Sequence, residues 1–160
     1  MSTPRILFVC LGNICRSPLV ESVARKRCAE AGVSVALASC GTGDWHVGKS
    51  ADPRMRAAAR AAGFDLESHR ARQLQAADFD RHDWLLAMDS DNLTELNRLA
   101  RHRLAQPGAA GQAALFLPWA GVTSVQDFSD PYYGEAEGFR QCVDLAERGV
   151  AGLIERLRQC

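Results

Sequence analysis

A chain of 160 residues and 17.4 kDa, 47% hydrophobic and 24% charged, is long enough to bury one core and too apolar to stay disordered. Its 19 basic and 19 acidic residues cancel, so no field of one sign favours nucleic acid as a partner. No run of about 18 apolar residues predicts a membrane span, the N-terminus lacks a signal-peptide pattern, and Cys10, Cys15, Cys28, Cys40, Cys142 and Cys160 form no C-x-x-C pair, which points to free thiols in a reducing, cytoplasmic setting rather than a zinc site.

Strand-like and helix-like segments alternate along the chain. Arg5–Val9 reads as a short buried strand, and a helix follows from Pro18 to Ala31, stopped by Gly32. Val33–Ser39 reads as a second strand, and a glycine-rich loop, "CGTGDWHVGKSAD", leads to Asp52–Pro53, an N-cap followed by proline at the first helical position. That helix ends at Gly63, in the left-handed C-cap role. A turn of helix is predicted over Ala76–Asp80, a third strand over Trp84–Met88 and a helix over Ser90–Arg101. Ala105–Gln112 reads as a flexible connection, Ala114–Leu117 as a weaker fourth strand, and Pro118–Gly134 as loop. Phe139, Val143, Ala146, Val150, Leu153, Ile154 and Leu157 then repeat at helical spacing, interrupted by Gly149 and Gly152, which weaken a helix.

Four strand–helix repeats imply one α/β domain over residues 1–160, a four-stranded parallel sheet covered by helices on both faces. Ligands of such folds sit at the carboxyl ends of the strands, and the first strand ends at Cys10. A strand turning tightly into a helix aims several N–H groups and the positive helix end at one point. Gly12 and Asn13 tolerate the positive φ such a turn needs, Ser17 and Pro18 suit the N-cap and first helical position, and Arg16 offers a fork matched to phosphate oxygens. The same donors favour the thiolate of Cys10 and would hold the oxygens of a transferring phosphoryl group. A bare C-x5-R spacing has a bland counterpart, a buried cysteine with a surface arginine; the preceding strand, the Gly-Asn turn and the following helix argue against it.

With those flanks, "VCLGNICRSP" resembles the low-molecular-weight protein tyrosine phosphatases. The resemblance covers nearly the whole chain and implies a three-layer, flavodoxin-like α/β fold with strand order 2-1-3-4. It implies phosphotyrosine hydrolysis through a cysteinyl-phosphate, with Cys10 as nucleophile, Arg16 as phosphate clamp and Leu11, Gly12, Asn13, Ile14, Cys15 and Ser17 as the phosphate loop. "SDPYYG" matches the family's acid segment, making Asp130 general acid and base, with Pro131 biasing its backbone to extended geometry. Tyr132 and Tyr133 would wall one side of a slot for an aromatic ring and Trp45 the other, with Leu11 and Ile14 at its floor. "SHRARQL" and "AMDSDNL" are also similar to family segments. By that likeness Ser39 and His69 join Asn13 and Ser17 in a network fixing the loop, and Asp89 faces it. Cys15 is either a redox partner that traps oxidised Cys10 as a disulfide or a small filler of the loop. Cys40 departs from the alanine expected there and reads as a filler.

The implied reaction needs no metal or cofactor, because loop and arginine supply the charge stabilisation. The implied partner is a phosphotyrosine protein, a bacterial tyrosine kinase among the candidates, and the implied state is a monomer or weak dimer without nucleic acid or membrane insertion; leaderless export stays open. Three rivals remain. An arsenate reductase on the same loop wants cysteines after the third strand, where Met88, Asp89 and Ser90 stand. A phosphoarginine phosphatase usually has threonine at the place of Ile14. A phosphopeptide-binding module would have lost Cys10 or Asp130, and both are present.

Overall fold

Ten elements follow one another: β1 (Arg5–Cys10), α1 (Arg16–Ala31), β2 (Ala36–Gly41), α2 (Pro53–Ala61), α3 (Asp78–Arg81), β3 (Trp84–Ala87), α4 (Ser90–Arg101), β4 (Gln112–Leu115), α5 (Phe116–Trp119) and α6 (Ala136–Arg158). They are those of a computed structural model, which describes residues 2–101, 111–131 and 134–159. All four strands are parallel, in the order β2-β1-β3-β4. The register sets Val9 beside Cys40 and Ala87, and Cys10 beside Gly41, so the thiol ends a central strand at the carboxyl edge of the sheet.

Alternation along β1 decides the layers. A period of two sends Ile6, Phe8 and Cys10 to one face and Leu7 and Val9 to the other. The first set packs with Leu19 and Val20 of α1, Met55 of α2, Phe116 of α5 and Phe139 and Val150 of α6. The second packs with Phe79 of α3 and Leu96 of α4. Helices therefore cover both faces, which is why β1 reads as a continuous apolar run. Burying a side chain such as Phe8, fully enclosed here, contributes about 1.5–3 kcal/mol. Among the described residues no helix is long and apolar enough to cross a membrane.

Several boundaries differ from those the sequence predicts. Helix α1 starts at Arg16 rather than Pro18, and Ser17 is not its N-cap: Cys15 takes that position without a side-chain cap bond, because the Ser17 hydroxyl is turned to Cys10. Strand β2 starts at Ala36, not Val33. Gly32 caps α1 at φ 69°, and Val33 N–H still belongs to that cap, bonding the Cys28 carbonyl at 2.9 Å. Helix α3 lies two residues later than predicted at its start. Strand β4 ends at Leu115, and Phe116 and Leu117 open the short helix α5, where the reading had placed strand and loop. Asp52 caps α2 as expected, accepting from Arg54 N–H at 2.8 Å, and Gly63 has φ 92°.

The two glycines of α6 are explained by α5. A Cβ on Gly149 would lie 2.5 Å from the Phe116 ring, and one on Gly152 would lie 1.8 Å from the Ala120 carbonyl oxygen. Their missing side chains let α6 close onto α5. Gly152→Ala is expected to destabilise the protein by about 2 kcal/mol, since overpacking a rigid backbone contact outweighs alanine's better helix propensity. Urea denaturation checks this; an unchanged or raised midpoint would mean that α5 is not held against α6.

Candidate active site

The turn between β1 and α1 forms around Asn13. Its φ of 58° is the one positive value at a non-glycine among the described residues. Its side chain is fully enclosed, and every polar group of the residue is used. Asn13 Nδ2 donates to Ser17 Oγ at 2.8 Å and to Ser39 Oγ at 3.0 Å. Asn13 Oδ1 accepts from Arg72 N–H at 2.9 Å, and its carbonyl lies 2.6 Å from His69 Nε2. A carbonyl can only accept, so His69 carries its proton on Nε2. Burial lowers the pKa of His69, against the pull of that carbonyl, and favours the neutral ring. The Asn13 N–H is left to donate to Cys10 Sγ at 3.2 Å. A left-handed residue with five hydrogen bonds holds the loop in the one shape that aims this N–H at the thiol.

Ser17 Oγ lies 3.0 Å from Cys10 Sγ and 3.4 Å from the Cys40 carbonyl. One hydroxyl proton thus has two acceptors. It serves the sulfur when the sulfur is anionic, and the carbonyl when the thiol keeps its own proton. Glycines set the loop's neighbours. A Cβ on Gly41 would meet the Leu11 carbonyl at 2.6 Å, so only glycine lets β2 end this close to the turn. A Cβ on Gly12 would lie 2.9 Å from the His46 ring.

Arg16 is a cation 2% exposed, which demands compensation. Its Nη1 donates to Asp89 Oδ2 at 2.6 Å and to the Phe128 carbonyl at 2.9 Å, and Nη2 lies 3.6 Å from Asp130 Oδ2. Burial works against its charge, yet the Cys10 sulfur, the Asp89 hydrogen bond and the Asp130 carboxylate outweigh it and raise its pKa. Asp89 is itself fixed, accepting from Asn92 N–H at 2.8 Å.

These groups meet in one cleft of about 410 Å³, lined by Cys10, Leu11, Gly12, Ile14, Cys15, Arg16, Trp45, His46 and Asp130. Trp45 is 65% exposed and folds over Gly43, leaving a ring face at the mouth. Ile14 is buried, whereas Leu11 is exposed, a rim residue more than a floor. Cys15 lines the cleft as well, and burial, with Asp52 and Cys10 adding, pushes its thiol strongly up. Cys40 is enclosed among Leu7, Val9 and Phe79, in keeping with a filler, and burial pushes its thiol up too. Tyr132 and Tyr133 lie outside the described residues. The sequence reading missed His46, Gly41, the Arg72 N–H and the Phe128 carbonyl. The last two act through the backbone, which no side-chain pattern signals; His46 had only its place beside Trp45 to give it away.

A strand-end thiol that accepts from a loop N–H and sits beside a hydroxyl, facing a buried arginine and a carboxyl group on such a sheet, defines a cysteine-dependent phosphatase. Residues 5–160 match the model of the family described as low molecular weight phosphotyrosine protein phosphatase. A low molecular weight protein-tyrosine-phosphatase of Streptomyces coelicolor is 39% identical, over 98% of this chain and 95% of its own. A low molecular weight phosphotyrosine protein phosphatase of Schizosaccharomyces pombe is 42% identical over 86% of each. The crystal structure of a protein tyrosine phosphatase from Entamoeba histolytica with Hepes in the active site superposes with a TM-score of 0.87, at 31% identity over 98% of both chains. The chain belongs to the low molecular weight phosphotyrosine protein phosphatase family.

Proposed function

We propose that the chain, acting as one domain, hydrolyses phosphotyrosine with Cys10 as nucleophile, Arg16 as phosphate clamp and Asp130 as general acid and then base. One observation carries this reading: Cys10 Sγ accepts from the Asn13 N–H and lies 3.0 Å from the Ser17 hydroxyl, in the same cleft as Arg16 and Asp130. The thiolate attacks phosphorus and the bond to the phenolic oxygen breaks. Asp130 passes its proton to the departing phenolate. The loop N–H groups other than that of Asn13 and the Arg16 guanidinium hold the non-bridging oxygens, where charge is densest in the transition state. Water then attacks the phosphocysteine, Asp130 takes its proton, and inorganic phosphate leaves from the regenerated thiolate. Asp89 and the Phe128 carbonyl orient Arg16, while Asn13, Ser39 and His69 hold the loop.

The ring of the substrate lies against Trp45, with Ile14 beneath it. An apolar slot deep enough for a phenol leaves the phosphate of a shorter phosphoserine short of the sulfur. The substrate is a phosphotyrosine protein in the cytoplasm, a tyrosine kinase being one candidate, met by a monomer or weak dimer. Cys15 acts as a redox partner: a Cys10 sulfenic acid formed by peroxide condenses with its thiol, releasing water, and a reducing thiol restores both.

The test compares phosphotyrosine, phosphoserine and phosphoarginine peptides in the presence of a chelator. Release of phosphate from phosphotyrosine alone is expected. Equal release from phosphoserine would remove the aromatic slot, and preference for phosphoarginine would favour the rival chemistry.

A further inference from the structure

Asp130 sits on the stretch between α5 and α6, which carries neither helix nor strand among its described residues. The stretch is tied to the β3–α4 junction at two neighbouring residues. Phe128 N–H donates to the Met88 carbonyl at 2.7 Å, its ring is fully enclosed, and its carbonyl accepts from Arg16. One residue earlier, a single oxygen of Asp127 accepts twice from Ser90, from its N–H at 3.1 Å and from its hydroxyl at 2.8 Å. Ser90 opens α4 and directly follows Asp89, the carboxylate on Arg16. The turn that aims the phosphate clamp thus also grips the segment bearing the acid. Beyond Phe128, Ser129 and Asp130 are exposed and Pro131 is buried again.

Building on the general-acid role given to Asp130, we propose that Asp127 is a positioning residue that holds the Asp130 carboxyl at the leaving oxygen. The two-pronged contact fixes both the position and the rotation of the backbone three residues upstream of the acid. Ser90 N–H, at the start of α4, has no intrahelical acceptor and is free to donate to Asp127, where a carboxylate is also favoured by the helix dipole, so the latch has a strong anchor. If it is removed, Phe128 still pins Arg16 and the phosphate cradle is unaltered. Only the reach of Asp130 becomes loose, and misplacement by about 1 Å can cost about a hundredfold in rate. The loss falls on the step that needs a proton and spares phosphate binding.

The test uses two esters. Phenyl phosphate expels a basic phenolate that must be protonated; 2,4-dinitrophenyl phosphate expels an anion that leaves without help. Asp127→Ala is expected to lower kcat/KM by about tenfold or more for phenyl phosphate and less than about threefold for the dinitrophenyl ester, with competitive inhibition by inorganic phosphate unchanged. Asp127→Asn keeps an oxygen that can accept both bonds and is expected to recover most of the loss. Ser90→Ala retains the N–H prong and is expected to show a smaller loss with the same bias; it carries the test if Asp127→Ala fails to fold. An equal fall for both esters would mean a disturbed cradle and would overturn the proposal. So would unchanged kinetics with a lowered melting temperature, the signature of a mere helix cap. A wild type that turns over neither ester would instead bring down the phosphatase roles on which the proposal stands.

Discussion

Turnover of p-nitrophenyl phosphate by Cys10→Ser is expected to fall by about four orders of magnitude or more while inorganic phosphate still binds. The substitution exchanges one atom. Serine's oxygen sits within reach of the same Asn13 N–H and Ser17 hydroxyl that meet the sulfur at 3.2 and 3.0 Å. Those donors support an anion, but a hydroxyl does not ionise near neutral pH, and Asp130 has to keep its own proton for the departing phenolate in this step. Binding should survive, because the loop N–H groups and Arg16 owe their geometry to Asn13, Asp89 and Phe128, not to the sulfur. Steady-state assays with chelator and phosphate titration by calorimetry check the two halves. A residual rate within tenfold of wild type would mean that water attacks phosphorus directly and that the thiol is not the nucleophile.

What the sequence reveals of this site follows how local each interaction is. Cys10, Asn13, Arg16 and Ser17 occupy one tight turn, so their residue types and spacing announce the anion cradle before any tertiary contact is known. Their partners are reached through the fold. Arg72 contributes a backbone N–H from 59 positions away, and Phe128 a backbone carbonyl from 112; neither leaves a mark on side-chain chemistry. The Asp127–Ser90 pair is likewise invisible until β3 and the acid segment are side by side. Ser17 shows the opposite error. Its place before proline suits an N-cap, but the nearby sulfur and Asn13 claim the hydroxyl, and the helix begins two residues earlier than that cap would set it.

The same division holds for the architecture. The continuous apolar run of β1 and the helical spacing in α6 each survive in the fold, the first because both of its faces are covered and the second because its apolar stripe is long and one-sided. The β4–α5 junction does not, because "ALFLPW" is an apolar run whose period cannot separate a strand from a buried helical turn. Gly149 and Gly152 look like weaknesses in isolation. Only the approach of Phe116 and Ala120 shows them to be the condition for packing.

Asp130→Asn is expected to lower kcat by about 10²–10⁴-fold and to separate the two halves of the reaction. The carboxyl group is asked for a proton when the phenolate leaves and asked to accept one when water attacks the phosphocysteine. An amide of the same shape does neither. With 2,4-dinitrophenyl phosphate the first demand disappears, since the leaving anion is stable unprotonated. The second remains, because attacking water must always lose a proton. Rapid mixing should therefore show a burst of dinitrophenolate close to one per protein molecule, followed by slow turnover, with a phosphoryl group trapped on the peptide carrying Cys10. Phenyl phosphate should give a slow first step and no burst. Asp130 lies 3.6 Å from Arg16 Nη2, so its neutral replacement also frees that cation for phosphate. Affinity for inorganic phosphate should hold or rise, and a fall would show that the residue orients the clamp. A mutant without a burst on the activated ester, yet slowed equally on both substrates, would show that Asp130 serves neither proton transfer.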